Sequence, residues 1–210
     1  MLFHDRHDAG RALAARLVAY ETENPVVLAL PRGGVPVGYE VAVALKAPLD
    51  VALVRRLGMP FHPELALGAV VGAHPPEIVI NDEIRAAWHV SDEYLREESA
   101  RQLNEIERQR LLYRPDRPPV SIVDATVIVV DDGIATGATA KAVLLALRRG
   151  RPRRVVLAVP VAPPLALDEL AEVADHVMAL AAPADFEAVG DYYDDFHQTS
   201  DDEVLALLKS

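Results

Sequence analysis

Residues 126–149, TVIVVDDGIATGATAKAVLLALRR, constrain the fold of this chain more than any other stretch. A β-branched apolar run stops at two adjacent carboxylates, Asp131 and Asp132, and a loop of small residues leads into an apolar pattern of helical period. A strand of a parallel sheet that feeds a helix through such a loop aims backbone N–H groups and the positive helix end at one point, which suits a phosphate. Thr136 and Thr139 add hydroxyl donors, and Gly133 and Gly137 let the backbone come close to an anion. The paired carboxylates just upstream repel phosphate but accept hydrogen bonds from sugar hydroxyls. Phosphate donors beside hydroxyl acceptors describe a pocket for a ribose 5-phosphate. Neither GxGxxG nor GxxxxGK[ST] occurs, so those rival phosphate-binding patterns lose support.

The rest of the chain repeats the strand–helix alternation. Helical spacing over 10–20 is followed by the breaker Asn24-Pro25 and by VVLAL at 26–30, which predicts a strand buried on both faces. The turn Pro31-Arg32-Gly33-Gly34 leads into a helix over about 35–46, with Pro36 in its first turn. A second strand is expected at 49–54, ending on Arg55-Arg56, with short strands at 67–71 and 78–80. A polar helix with Glu and Arg at i, i+4 spacing covers 91–112, and the RPDRPP run at 114–119 reads as a linker. Strands at 155–160 and 176–180, a helix near 165–173 and a terminal helix from DDEVLALLKS complete the pattern. The fold class predicted is α/β, a parallel sheet with helices on both faces.

Ligands of open parallel sheets bind beyond the carboxyl ends of the strands. Three loops are expected there: PRGG after the first strand, Arg55-Arg56 after the second, and DDGIATGAT after a later one. The amides of Gly33 and Gly34 and the fork of Arg32 suit pyrophosphate oxygens, and Arg55 and Arg56 add positive charge.

VIVVDDGIATGAT resembles the phosphoribosyl-pyrophosphate (PRPP) signature of the type I phosphoribosyltransferases. The resemblance implies that Asp131 and Asp132 hold the ribose hydroxyls, that Ala135, Thr136, Gly137, Ala138 and Thr139 wrap the 5-phosphate, and that Arg32, Gly33, Gly34, Arg55 and Arg56 bind pyrophosphate. Asp131, Asp132 and Arg56 form the catalytic set in this reading, with Arg56 standing where Lys is frequent and Gly133 where a bulky apolar residue is more usual. The run LGMPFHPELALGAV at 57–70 extends the resemblance to a branch of predicted, poorly characterised bacterial and archaeal phosphoribosyltransferases, and it covers nearly the whole chain.

That branch implies one domain over 1–210: a core at about 10–182, a small hood from about 1–9 and 183–210, and a mobile loop within about 72–118 that closes over the reacting centre. Arg85, Arg96, Arg101, Arg108 and Arg110 fall in that loop, and for most of them we expect surface ion pairs on an exposed helix. The resemblance further implies Mg²⁺ carried mainly by PRPP oxygens, with no protein ligand assigned, a heterocyclic base as acceptor, and a homodimer.

The tail gathers four of the chain's ten Phe and Tyr residues, Phe186, Tyr192, Tyr193 and Phe196, among Asp191, Asp194 and Asp195. Such a group either binds the base, through Phe186, Tyr192 and Tyr193, or packs the hood onto the core. With no cysteine, disulfides and thiolate metal sites are excluded. No apolar run reaches membrane-spanning length and the start MLFHDRHDAG is charged, so a cytoplasmic protein is expected. A net charge of −11 argues against nucleic acid as a partner. Two other activities stay open on the residues: a regulator that binds PRPP or a nucleotide without turnover, and a sugar-phosphate phosphatase with Asp131 as nucleophile.

Overall fold

The computed structural model describes residues 2–72, 76–114 and 118–209, with residues 62–66 described by their backbone alone. Its strands are β1 (Pro25–Ala29), β2 (Leu49–Val51), β3 (Val54–Met59), β4 (His62–Val71), β5 (Glu77–Ile80), β6 (Thr126–Val130), β7 (Arg154–Val161) and β8 (His176–Ala181). Its helices are α1 (Arg6–Leu17), α2 (Gly34–Leu45), α3 (Asp82–Ala87), α4 (Asp92–Tyr113), α5 (Ala138–Arg149), α6 (Pro164–Ala171) and α7 (Asp201–Lys209).

The continuous apolar runs form a parallel sheet in the order β2-β1-β6-β7-β8. Alternation along each strand divides the core. Val26, Leu28, Val127, Val129, Val155 and Leu157 face α5 and α6, while Val27, Ile128, Val130, Val156 and Ala158 face α1 and α2. Ala29 of β1 is in register with Val130 of β6, so the two central strands deliver their following loops to the same level. The expected α/β class, with helices on both faces, is the class observed.

Both α1 and the run at 49–54 differ from expectation. Helix α1 begins at Arg6 rather than at 10, because the Asp5 side chain accepts from Asp8 N at 2.7 Å and caps the helix four residues early. The run expected as one strand at 49–54 divides: Ala52 N still donates to Ala29 O, but Leu53 O accepts from Gly72 N, so the chain crosses to a second sheet. Arg55 and Arg56 therefore lie within β3, not at the carboxyl end of β2. This second sheet, β3-β4-β5, is antiparallel and packs with α4 and α7 around Leu57, Met59, Leu67, Val70 and Ile106.

The segment expected as a mobile loop carries β5, α3 and α4, while its residues 73–75 and 115–117 lie outside the described residues. Its arginines mostly pair locally, Arg85 with Asp92, Arg101 with Glu98, Arg108 with Glu105 and Arg110 with Glu107. At its far end Arg114, which sequence places in a linker, is buried: Nε donates to Asp50 Oδ1 at 2.6 Å and Nη2 to Val51 O. Asp50 is fully buried and also accepts from Val51 N and Val120 N. Removing one member of such a pair strands the other charge. Arg114→Met is expected to lower the free energy of unfolding by about 3–5 kcal/mol, measured by urea titration; a loss below about 1 kcal/mol would show that the pair does not anchor the sheet edge.

Candidate active site

Two loops meet at the level ends of β1 and β6. The first contains a cis Pro31–Arg32 peptide bond and runs into α2. A Cβ on Gly33 would lie 2.1 Å from Asp132 Oδ2, and one on Gly34 would lie 2.8 Å from Val130 O and 2.9 Å from Asp131 Cα. Only glycine lets this loop lie flat on the acidic pair.

The second loop starts with that pair. Asp131 Oδ1 accepts from Asp132 N at 2.9 Å. Burial, and then the neighbouring Asp132 carboxylate, push the Asp131 carboxyl well above its ordinary range, against the opposing pull of the Asp132 N–H and of Arg6. Ile134 is buried and donates its N–H to Val161 O, which pins the loop to β7. Beyond it Ala135, Thr136, Ala138 and Thr139 are exposed, and Gly137, at φ +75°, turns the chain into α5. The first N–H groups of α5 thus point out of an open, small-residue loop.

The predicted residues fall into three groups around this point. Gly33 and Gly34 sit against Asp132 and Asp131, while the charge of Arg32 acts on the Tyr113 hydroxyl. Thr139 borders a cleft of about 370 Å³ with Arg55, Arg56, Tyr94 and Arg101. There Arg55 Nε donates to Gln102 Oε1 at 3.2 Å, and Gln102 Nε2 to Glu98 Oε1 at 2.8 Å. Burial raises the Glu98 carboxyl, but hydrogen bonds from Arg101 and Gln102 outweigh it and hold the group below its usual value. Thr136, Gly137 and Ala138 line a separate cleft of about 510 Å³ with Lys141 and Asn81. The acidic pair lines neither cleft.

The chain ends close over the acidic pair. Phe3 bridges Tyr193 in parallel, Leu2 N and Phe3 N donate to Tyr192 O, and Asp194 N donates back to Phe3 O. Tyr193 is 2% exposed, packs on Phe3 and Phe196, and donates its hydroxyl to Asp132 O. Its faces are taken by the hood itself. Phe186 and Tyr192 stack on each other at 5.7 Å and remain half-buried. Val189 explains the unusual Gly133: a Cβ there would lie 2.4 Å from Val189 Cγ1, so the tail fills the space a larger residue would need.

Sequence reasoning missed Arg6. Its Nε donates to Asp132 Oδ2 at 2.7 Å, Nη1 donates to His197 O at 2.7 Å, and the guanidinium lies 3.9 Å over the Phe196 ring. No local pattern marks it, since its partner lies 126 positions away.

A model of the phosphoribosyl transferase domain matches residues 3–196. The chain belongs to the phosphoribosyltransferase family. Two curated relatives of the family, from Mycobacterium tuberculosis strains H37Rv and CDC 1551, are "Putative phosphoribosyl transferase Rv0571c" and "Putative phosphoribosyl transferase MT0597"; each is 47% identical over 207 residues, which is 99% of this chain and 46% of the relative. The chain thus spans about half the length of the curated relatives it matches. The crystal structure of TT1426 from Thermus thermophilus is 46% identical, with a TM-score of 0.86 over 99% of this chain and 98% of that one. That likeness spans this chain's parallel sheet and the helices on both its faces.

Two outcomes follow from this geometry. Gly33→Ala is expected to displace the loop or the acidic pair and to cost about 1–3 kcal/mol, visible as a lower thermal midpoint; an unchanged midpoint would mean that the loop is free of Asp132. His197 bridges Asp195 and Glu203 at 3.0 Å each. Those carboxylates raise the His197 imidazole, while the Ser200 N–H and then His197 hold Glu203 down at about 2. The His197 contribution is complete below about pH 6.5 and is lost as pH rises through its raised value; that of Glu203 is present above about pH 4.5 and is lost as pH falls towards the depressed one. Exchange protection of the amides at 201–205, corrected for intrinsic rates, should rise as pH falls from above the raised His197 value to below about pH 6.5, and His197→Ala should remove the rise.

Proposed function

We propose that this protein transfers the 5-phosphoribosyl group of PRPP to a nitrogenous base and releases pyrophosphate. The observation that carries the reading is the closure of the Gly33-Gly34 loop onto Asp131 and Asp132, with the phosphate-type loop 135–139 opening from the same strand. Membership of the family supports it.

In this reading Asp131 and Asp132 accept from the ribose hydroxyls, and the 135–139 amides with Thr136 and Thr139 take the 5-phosphate. Arg32 and the amide of Gly33 take the pyrophosphate, the Gly34 N–H being given to Leu30 O at 3.0 Å, with Arg55 and Arg56 supplying charge from β3. The C1–oxygen bond to pyrophosphate breaks as a base nitrogen bonds to C1, through a transition state of oxocarbenium character. Catalysis comes from holding the two reactants in line and from stabilising the departing pyrophosphate. Phe186 and Tyr192 are the residues we assign to the base. Tyr193, packed between Phe3 and Phe196, supports them from beneath.

Among the described residues no group of three or more His, Asp or Glu is arranged to hold a metal ion, and in this reading the cation arrives on the substrate's oxygens. Mg²⁺ bound to PRPP would neutralise charge on the leaving pyrophosphate. No helix among the described residues is long and apolar enough to cross a membrane; we place the protein in the cytoplasm, as a homodimer that does not bind nucleic acid.

The test is Mg²⁺-dependent pyrophosphate release from PRPP across a panel of purine and pyrimidine bases. Release with formation of the matching nucleotide is expected for at least one base. Asp132→Ala should weaken PRPP binding about tenfold or more, and Gly137→Val, with a side chain at φ +75°, should block the phosphate loop. PRPP binding without release in every case would favour the regulator, and normal PRPP affinity in a folded Gly137→Val protein would overturn the site.

A further inference from the structure

Arg6 is held in place from three directions. Its side chain is 8% exposed, and carboxylate, carbonyl and aromatic contacts fix its Nε, its Nη1 and its face respectively. None of these contacts comes from a neighbouring turn of α1: Asp132 belongs to the loop after β6, and Phe196 and His197 to the tail. Arg6 is therefore where the amino-terminal helix, the tail and the acidic pair are joined.

The chemistry at this junction has a clear sign. Two adjacent carboxylates repel each other and repel any phosphorylated ligand that approaches them. A guanidinium on one of them offsets that charge without filling the space on the other. Arg6 Nε occupies Oδ2 of Asp132, the oxygen nearer Gly33, and the Asp132 carboxyl also bonds the Asp131 side chain, a contact that a sugar hydroxyl would replace.

We propose that Arg6 is a positioning residue for sugar recognition: it fixes the Asp132 carboxylate, presents it to a ribose hydroxyl, and lowers the repulsion that an anionic sugar phosphate meets at the pair. The proposal rests on the ribose-binding role given to Asp131 and Asp132 above. The same guanidinium also lies against the Phe196 ring and donates to His197 O.

The experiment compares binding of ribose 5-phosphate and 2-deoxyribose 5-phosphate by calorimetry. The two ligands differ by one hydroxyl, so the ratio of their affinities reads the acidic pair rather than general phosphate attraction. Wild-type protein is expected to prefer the ribose form by about tenfold. Arg6→Ala should weaken both ligands and bring the ratio near one, and Arg6→Lys should recover part of it. Phe3→Ala loosens the hood at Tyr193 without touching the Asp132 carboxylate, and should keep the ratio while lowering the thermal midpoint. Should Arg6→Ala fail to fold, Arg6→Gln removes the charge while keeping most of the length.

A wild-type ratio retained in the Arg6 variants would overturn the role of Arg6 and leave the ribose reading standing. Tighter binding in those variants would overturn it as well, by making Arg6 a competitor of the sugar. Loss of the ratio in Phe3→Ala would assign the effect to hood packing and overturn the specific role. No preference in the wild-type protein would overturn the ribose reading itself, and the role of Arg6 with it.

Discussion

Everything at the candidate site depends on two parallel strands ending level with each other, with nothing but hydrogen at two Cα positions between them. Ala29 and Val130 are paired in register, and the chain beyond each has to turn away from the sheet. Gly33 and Gly34 allow the first turn to rest on the carboxylates that begin the second. A methyl group at either glycine would wedge the two loops apart, and the charged and hydrogen-bonding groups they carry would no longer share one locus. The sheet supplies the rigid frame; the missing side chains supply the proximity.

Placing two carboxylates side by side at the end of a buried strand is unfavourable, and the surroundings show how the cost is contained. The Asp132 N–H bonds to the Asp131 side chain, Arg6 bonds to Asp132, and the Tyr193 hydroxyl takes the Asp132 carbonyl. Arg6 and Tyr193 come from opposite ends of the chain. The hood is thus an electrostatic complement to the acidic pair as well as a cover for it, and its aromatic residues serve partly to hold the complement in position.

Much of this is legible in the sequence, for identifiable reasons. Fully buried parallel strands read as unbroken apolar runs, so β1, β6 and β7 stand out, and the loops that follow β1 and β6 announce themselves by glycines and acidic residues. The division between β2 and β3 does not. LDVALVRR reads as one strand, and the break is set by hydrogen bonds from Ala52 to Ala29 and from Gly72 to Leu53, partners remote in sequence. Sequence alone consequently assigns Arg55 and Arg56 to the wrong element. Arg114 and Arg6 are opaque for the same reason: an arginine at a helix end or beside prolines looks solvated until a distant carboxylate is found beneath it.

The Asp50–Arg114 pair has a consequence for how this chain is put together. Asp50 lies in β2, the last strand of the parallel sheet before the chain leaves for the antiparallel one, and Arg114 ends the long helix on which that excursion returns. The departure and the return are therefore fastened to each other, and the excursion of β3, β4, β5, α3 and α4 also shares a core with Ala29, Val35, Val51 and Val204. Changes of length within its loops are contained by that fastening, whereas changes at Leu57, Leu67 or Val70 reach Ala29 of β1 through the shared core. A chain built this way can refashion the loops on one wall of its cleft while the opposite wall stays fixed.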